Sequence, residues 1–417
     1  VSSSLIIIGG GAAGLMAAIK AAQEGISSLI IEKMAKPARK LGISGKGRGN
    51  LTNTAQYSEF LLHFNNKGRF LKTAFKNFFN SDLIEFFNNE GVKTTVERGK
   101  RVFTASGKAP EAANKLINAA HNRGVKILCN TSVAEIICEN NSCSGVKTTD
   151  NQFLPAKAII LATGGRSYPL TGSTGDGYAL AARLGHKILT PLPSLVGLAP
   201  ETTLPPKLEK LSLKNISAAL IVNGRQKAIE IGEMTFLDGL LAGPVIITLS
   251  RLAVDELHKG NEVKIKLDLK PALSHEKLDR RLLRDIQADG QANCTALLRR
   301  LLPGNLVDFC LDCCKVDKNM QTAQLGSMQR RTIRNWLKEA EFAIGKPGPW
   351  EQAIVTRGGV DCRQINPTTM ESRLIKNLFF AGEVIDIDAD TGGFNLQAAF
   401  STGWLAGLNA AQQIKRS

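Results

Sequence analysis

Along the chain, the first apolar positions come as short unbroken bursts. "SLIII" at 4–8 has strand length, and "SSLIIEK" at 27–33 repeats the texture. Between them, "GGGAAG" (9–14) precedes "LMAAIKAAQEG", whose spacing predicts a helix ending at Gly25. A strand, a glycine turn, a helix and a second buried strand open a doubly wound parallel sheet. Residues 58–90 are helix-rich, 91–107 alternate as strands do, and 108–124 predict a helix. "VKILCNTSVAEIICEN" (125–140) predicts a strand pair, and "AKAIILATGG" (156–165) a buried strand ending in two glycines.

Near 190 the pattern changes. "PLPSLVGLAPETTLPPKLEK" (191–210) is proline-rich and is expected to be a crossover between domains. Residues 211–236 then alternate around Asn223-Gly224, a hairpin turn signal. "VKIKLDL" (263–269) alternates cleanly and predicts a half-exposed strand. Residues 274–340 are mostly helical and basic, and "KPGPW" (346–350) is a second crossover. "NLFFAGEV" (377–384) returns to the buried-strand texture of the first domain, and a closing helix runs through 395–414. The expected division is an N-terminal part over 1–190, an insert over 191–345 (β-rich to 270, helical over 271–340), and a C-terminal part over 346–417 that completes the first domain.

Composition narrows the class. Apolar residues make up 43% and charged residues 22% of 417 positions, as in an ordinary globular protein. The longest apolar run (5–19) is broken by glycines and too short to span a bilayer. Eight cysteines show no disulfide framework or metal spacing, which fits a reducing cytoplasm. The net charge of +16 suits an anionic ligand, a membrane face or nucleic acid. Much of it lies in helix patterns such as "QRRTIRNWLK", where a solvated face is the default and no aromatic residues alternate with Arg for base stacking.

The glycines carry the chemistry. Gly9, Gly11 and Gly14 have the spacing that turns a strand sharply, admits a pyrophosphate and packs helix on strand. Ala12 and Ala13 lie between them, at the start of a helix whose free N–H groups suit phosphate. Glu32 ends the second strand, where a carboxylate accepts from ribose hydroxyls, so an adenine dinucleotide is expected. Three further stretches favour flavin over nicotinamide. "KLGISGKGRGNLTN" (40–53) is a glycine-rich basic loop in which Lys40 or Arg48 meets phosphate. Ala162, Thr163, Gly164 and Gly165 end a strand with small residues that permit close approach. In "FFAGEVIDIDADTGGFNLQAA", Gly382-Glu383 suits a ribityl chain. The helix start after Gly392-Gly393, near Phe394-Asn395-Leu396, points its positive end at a flavin ring.

These blocks, with 162–186 and 355–407, resemble the FAD-binding flavoproteins related to BaiN/YhiN and aminoacetone oxidase, almost end to end. The resemblance implies an α/β fold: a two-part Rossmann-like FAD-binding domain with an inserted β-barrel-like plus helical domain. It also implies non-covalent FAD and an oxidoreductase acting on a small-molecule substrate, with NAD(P)H as a transient donor. Implied cofactor contacts, added to those above, are Lys33, Ser44, Gly45, Gly47, Asn50, Leu51, Thr52 and Gly393. Two departures stand out. Gly49 replaces the Cys of the relatives' "GRCN", and Leu237, Asp238 and Ala242 stand where Thr, His and Ser are usual.

No catalytic acid or base is assigned. Arg166, Tyr168 and Asp176 lie near the 162–165 turn as candidates, and His186 reads as a structural histidine. Neither GxSxG nor HExxH occurs, and no second dinucleotide fingerprint is present. The alternative reading is a flavoprotein that binds or modifies nucleic acid through its basic insert.

Overall fold

The computed structural model describes residues 4–416. They form two compact units, one running to Pro193 and resuming at Ala353, the other spanning Ser194–Gln352.

The first unit is organised by a five-stranded parallel sheet. Its strands lie in the order Leu378–Phe380, Ala158–Leu161, Leu5–Ile8, Ser28–Ile31, Lys126–Leu128. The first two strands in chain order, Leu5–Ile8 and Ser28–Ile31, are buried at every residue, as expected of strands covered on both faces. The helix between them, Ala12–Gln23, packs against the last helix, Phe394–Arg416, through glycines. A Cβ on Gly403 would lie 2.2 Å from the Ala13 carbonyl oxygen, and one on Gly407 would lie 2.2 Å from that of Ala17. Both contacts ascend together, so the helices run parallel. The last helix extends eight residues, about 12 Å, beyond the start of the first.

Two small antiparallel sheets flank this core, one of Asn50–Asn53, Arg101–Thr104 and Thr94–Glu97, the other of Val133–Glu139, Ser142–Thr148 and Phe153–Pro155. The strands expected as a pair in 125–140 therefore part company. Lys126–Leu128 takes the parallel edge, while Val133–Glu139 pairs forward across a tight turn at Asn140-Asn141, both with positive φ. A three-residue strand with a local hairpin partner available downstream loses that competition.

In the second unit a six-stranded barrel closes from Leu198–Pro200, Leu240–Ala242, Arg225–Leu237, Ser212–Val222, Val263–Asp268 and Ala340–Pro347. Asn223 and Gly224 have φ of +47° and +75° and turn the long hairpin. Val263–Asp268 alternates buried and half-buried positions. Helices 275–288, 294–299, 304–314 and 327–339 follow. The proline-rich stretch is not a bare connector. Pro191 and Pro193 lie in the strand Ile188–Ser194, within a two-stranded sheet where each strand keeps an edge that tolerates proline.

Candidate functional site

The turn at 9–14 rests on contacts that glycine alone permits. Gly9 has φ +103°, and a Cβ there would lie 2.6 Å from the Ala162 carbonyl oxygen. At Gly14 a Cβ would lie 2.0 Å from the Gly9 oxygen, so the helix sits directly on the strand end. Around Gly11 the situation reverses: a Cβ would meet nothing within 4 Å. Gly11 caps the helix without a side-chain hydrogen bond, so the helix begins beside open space with its first-turn N–H groups uncapped by any side chain. Glu32 accepts from the Gly10 and Met34 N–H groups, each at 2.8 Å, which fixes its carboxylate beside this opening.

Lys40, Ser167 and Glu383 join three distant stretches. Lys40 Nζ donates to Ser167 Oγ at 2.5 Å and to Glu383 Oε2 at 2.6 Å. Glu383 Oε1 accepts from Ser167 Oγ at 2.9 Å and from Thr356 N at 2.6 Å. Burial alone raises the Glu383 carboxyl; the Lys40 charge and these hydrogen bonds more than offset it, so it lies below the usual carboxylate range. Gly382, with φ +75°, brings its backbone against Ala13: a Cβ there would lie 2.8 Å from the Ala13 methyl. The C-terminal turn and the first helix thus meet.

The basic loop leads to the start of the last helix. Thr52 Oγ1 donates to Gln397 Oε1 at 2.6 Å, and a Cβ on Gly393 would lie 2.3 Å from the Thr52 carbonyl oxygen. Asn50, with its amide nitrogen toward Thr52 O and Val102 O, accepts from Gly393 N at 3.1 Å. Leu51 is buried beside them. Asn395 donates to Ala389 O and Asp390 O and accepts from Ala389 N, which ties the preceding loop to the helix. Phe394 is buried and Leu396 half-buried. Gly45 and Gly47 take positive φ in the loop.

Two hydroxyls in these stretches, Ser44 Oγ and Thr163 Oγ1, are buried without a hydrogen-bond partner. Gly164 has φ +76°, and a Cβ on Gly165 would lie 2.2 Å from Thr356 Oγ1, so the 162–165 turn must stay small. Not every basic residue points at an opening. Arg48 forms an ion pair with Glu97 and lies 4.4 Å over the Phe103 ring, while Lys33 pairs with Asp176 and Thr174. Burial pushes Asp176 up, but the Lys33 and Thr174 hydrogen bonds outweigh it and leave its carboxyl lowered.

Among the other candidates, Tyr168 adopts φ +52°, is half-buried, and has its phenol pushed up by burial. Arg166 N donates to Thr356 Oγ1 at 2.7 Å. His186 is a core group: Nε2 is 2.7 Å from Ser372 Oγ, Nδ1 is 3.2 Å from Ala181 O, and burial lowers its pKa. Leu237 and Ala242 sit on adjacent barrel strands, and Asp238 turns between them with φ +53°, accepting from Gln352 Nε2 at 2.9 Å.

Sequence reasoning missed a charged junction at the last helix. His63 stacks on Phe394 with centroids 3.8 Å apart and places Nδ1 2.9 Å from Asp390 Oδ2; Lys67 pairs with Asp386. The one local signal was the carboxylate spacing in "DIDAD". Its partners lie more than 300 residues away.

Known proteins agree with this architecture. The HI0933-like protein Rossmann domain family matches residues 3–409. A 3-dehydro-bile acid delta(4,6)-reductase of Clostridium scindens is 30% identical over 411 residues, 98% of each chain. A ribosomal RNA dihydrouridine synthase of Haemophilus influenzae is 27% identical over 99% of each chain. The solved structure of a 3-ketosteroid delta1-dehydrogenase from Sterolibacterium denitrificans shares the fold, with TM-score 0.53, 14% identity and 99% coverage of both chains. No helix among the described residues is long and apolar enough to cross a membrane. The chain belongs to the HI0933-like Rossmann-domain family.

Proposed function

We propose that this protein holds FAD non-covalently along its glycine-lined edge. It transfers a hydride between that FAD and a small organic substrate, with NAD(P)H as a transient electron donor. The observation that carries this reading is the pair of parallel helices whose starts are staggered by about 12 Å. The first suits a pyrophosphate and the second the ring end of the same extended ligand.

The residues fit the group. Gly11, Ala12 and Ala13 offer N–H groups to phosphate across the open space at Gly11. Glu32 retains acceptor capacity for ribose hydroxyls after its two backbone bonds. The buried hydroxyls of Ser44 and Thr163 lack protein partners and suit ligand oxygens or nitrogens. Lys40 and Glu383 hold one another in place at the middle of the path, and Asn395 orients the helix start. Bound FAD supplies hydride transfer at its ring; the protein's part is to orient it, exclude water and hold charge near it. Arg48 and Lys33 must leave Glu97 and Asp176 to reach phosphate.

The direct test is anaerobic mixing of FAD-loaded protein with NADH, NADPH or amine substrates. Bleaching of the flavin absorbance by at least one of them is expected. No bleaching by any reductant, dithionite included, overturns the redox reading.

A second reading has its own support. A relative spanning the whole chain is named as acting on ribosomal RNA, and the net charge is +16. If nucleic acid is the substrate, RNA binding must weaken steeply with added salt. Absence of salt-sensitive RNA binding near physiological ionic strength eliminates it.

A further inference from the structure

The start of the last helix is crowded with charge that holding a flavin does not require. Asp386, Asp388 and Asp390 fall within one five-residue stretch just before it, and the first two are about 95% buried. Carboxylates there oppose the helix's own positive end. Segment 57–67 answers them. Lys67 pairs with Asp386. His63 bonds Asp390, and its carbonyl accepts from Asp390 N at 3.3 Å. The imidazole also stacks on Phe394, while the Asp390 carbonyl accepts from Asn395 at 3.2 Å. Each partner of the His63–Asp390 pair therefore touches a residue assigned above to the ring end of the cofactor site.

Resting on that FAD assignment, we propose that His63 and Asp390 are a positioning pair that sets the reduction potential of the bound flavin, in opposite senses. Reduction adds negative charge at the ring. Asp390 disfavours that charge. The His63 imidazole, bonded to Asp390, offsets part of that carboxylate's charge and holds it in a fixed place against the helix start. Lys67, Asp386, Asp388, Glu59 and Asp361 are among the other charged groups near this junction. The Lys100 hydrogen bond chiefly lowers the Glu59 carboxyl and the Arg363 hydrogen bond that of Asp361, with smaller contributions from His63 and Lys67 respectively.

The test is a redox titration of FAD-loaded wild type, H63Q and D390N. H63Q is expected to shift the two-electron reduction equilibrium about two- to fivefold toward oxidised flavin, and D390N by a similar factor toward reduced flavin. A packing role predicts weaker FAD retention in both variants with no opposed shifts. Potentials unchanged in both, or moved in the same direction, overturn the proposal. If H63Q does not retain FAD, D390N decides alone: a shift toward oxidised flavin, or none, sinks it. Failure of wild type to take up FAD overturns the underlying assignment, and this proposal with it.

Discussion

The two helix starts of the first unit contrast in how they are built. That of Ala12–Gln23 is bare: glycine and alanine, no capping side chain, and open space at Gly11. That of Phe394–Arg416 is furnished with Asp386, Asp388 and Asp390 before it and with His63 and Lys67 across from it. A bare start is a general anion site, since backbone N–H groups recognise any phosphate. A furnished one has an adjustable field, which suits a group whose charge changes during the reaction. On the proposed reading, one end of the FAD is gripped and the other is tuned.

The largest expected effect breaks the bare end. Gly11 has extended backbone that any residue adopts, and a side chain there meets no protein atom. G11D should fold normally and gain about 0.3 kcal/mol as an N-cap, visible as an equal or slightly higher melting temperature of the FAD-free protein. Its carboxylate opposes phosphate, so FAD affinity should fall about a hundredfold or more. A stable G11D protein that binds FAD like wild type contradicts the pyrophosphate assignment.

Next comes the link between the ends. Lys40 and Glu383 are 27% and 20% exposed, so K40M should cost about 1–3 kcal/mol, below the full cost of a buried pair. Urea denaturation measures it. Because the Glu383 carboxyl is lowered, its stabilisation is fully present above the ordinary carboxylate pKa of about 4.3 and is lost as pH falls through the folded value. The acid limb of stability should flatten in E383Q. An unchanged limb assigns acid loss to other carboxylates.

The smallest effect concerns the loop. Gly49 has φ +77°, and a Cβ would lie 3.0 Å from Thr104 Cγ2 and 3.1 Å from Ala109 Cα. G49C, which supplies the Cys that the family resemblance implies at this point, should lose about 1–2 kcal/mol here, read as a lower urea midpoint. A neutral result means that the loop relaxes easily.

What was legible in the sequence was local. The strand–turn–helix–strand of 5–31 announces itself within thirty residues, because glycine spacing and unbroken isoleucines have few other meanings. Asn223-Gly224 and the alternation at 263–268 are equally short-range. The contacts that assemble the site were not legible. Gly403 and Gly407 read as ordinary helix positions until Ala13 and Ala17 lie against them. His63 and Asp390 are 327 residues apart, and neither carries a motif that names the other. Arg48, a phosphate candidate from its loop, pairs with Glu97 and lies over Phe103, contacts no local pattern announces. Composition reports charge; only tertiary structure reports where the charge is already spent.

The most direct measurement is the flavin absorbance of folded wild-type protein after incubation with FAD and removal of free ligand. The account predicts close to one FAD per chain, released on denaturation as intact, unattached FAD. A well-folded protein that retains none contradicts it.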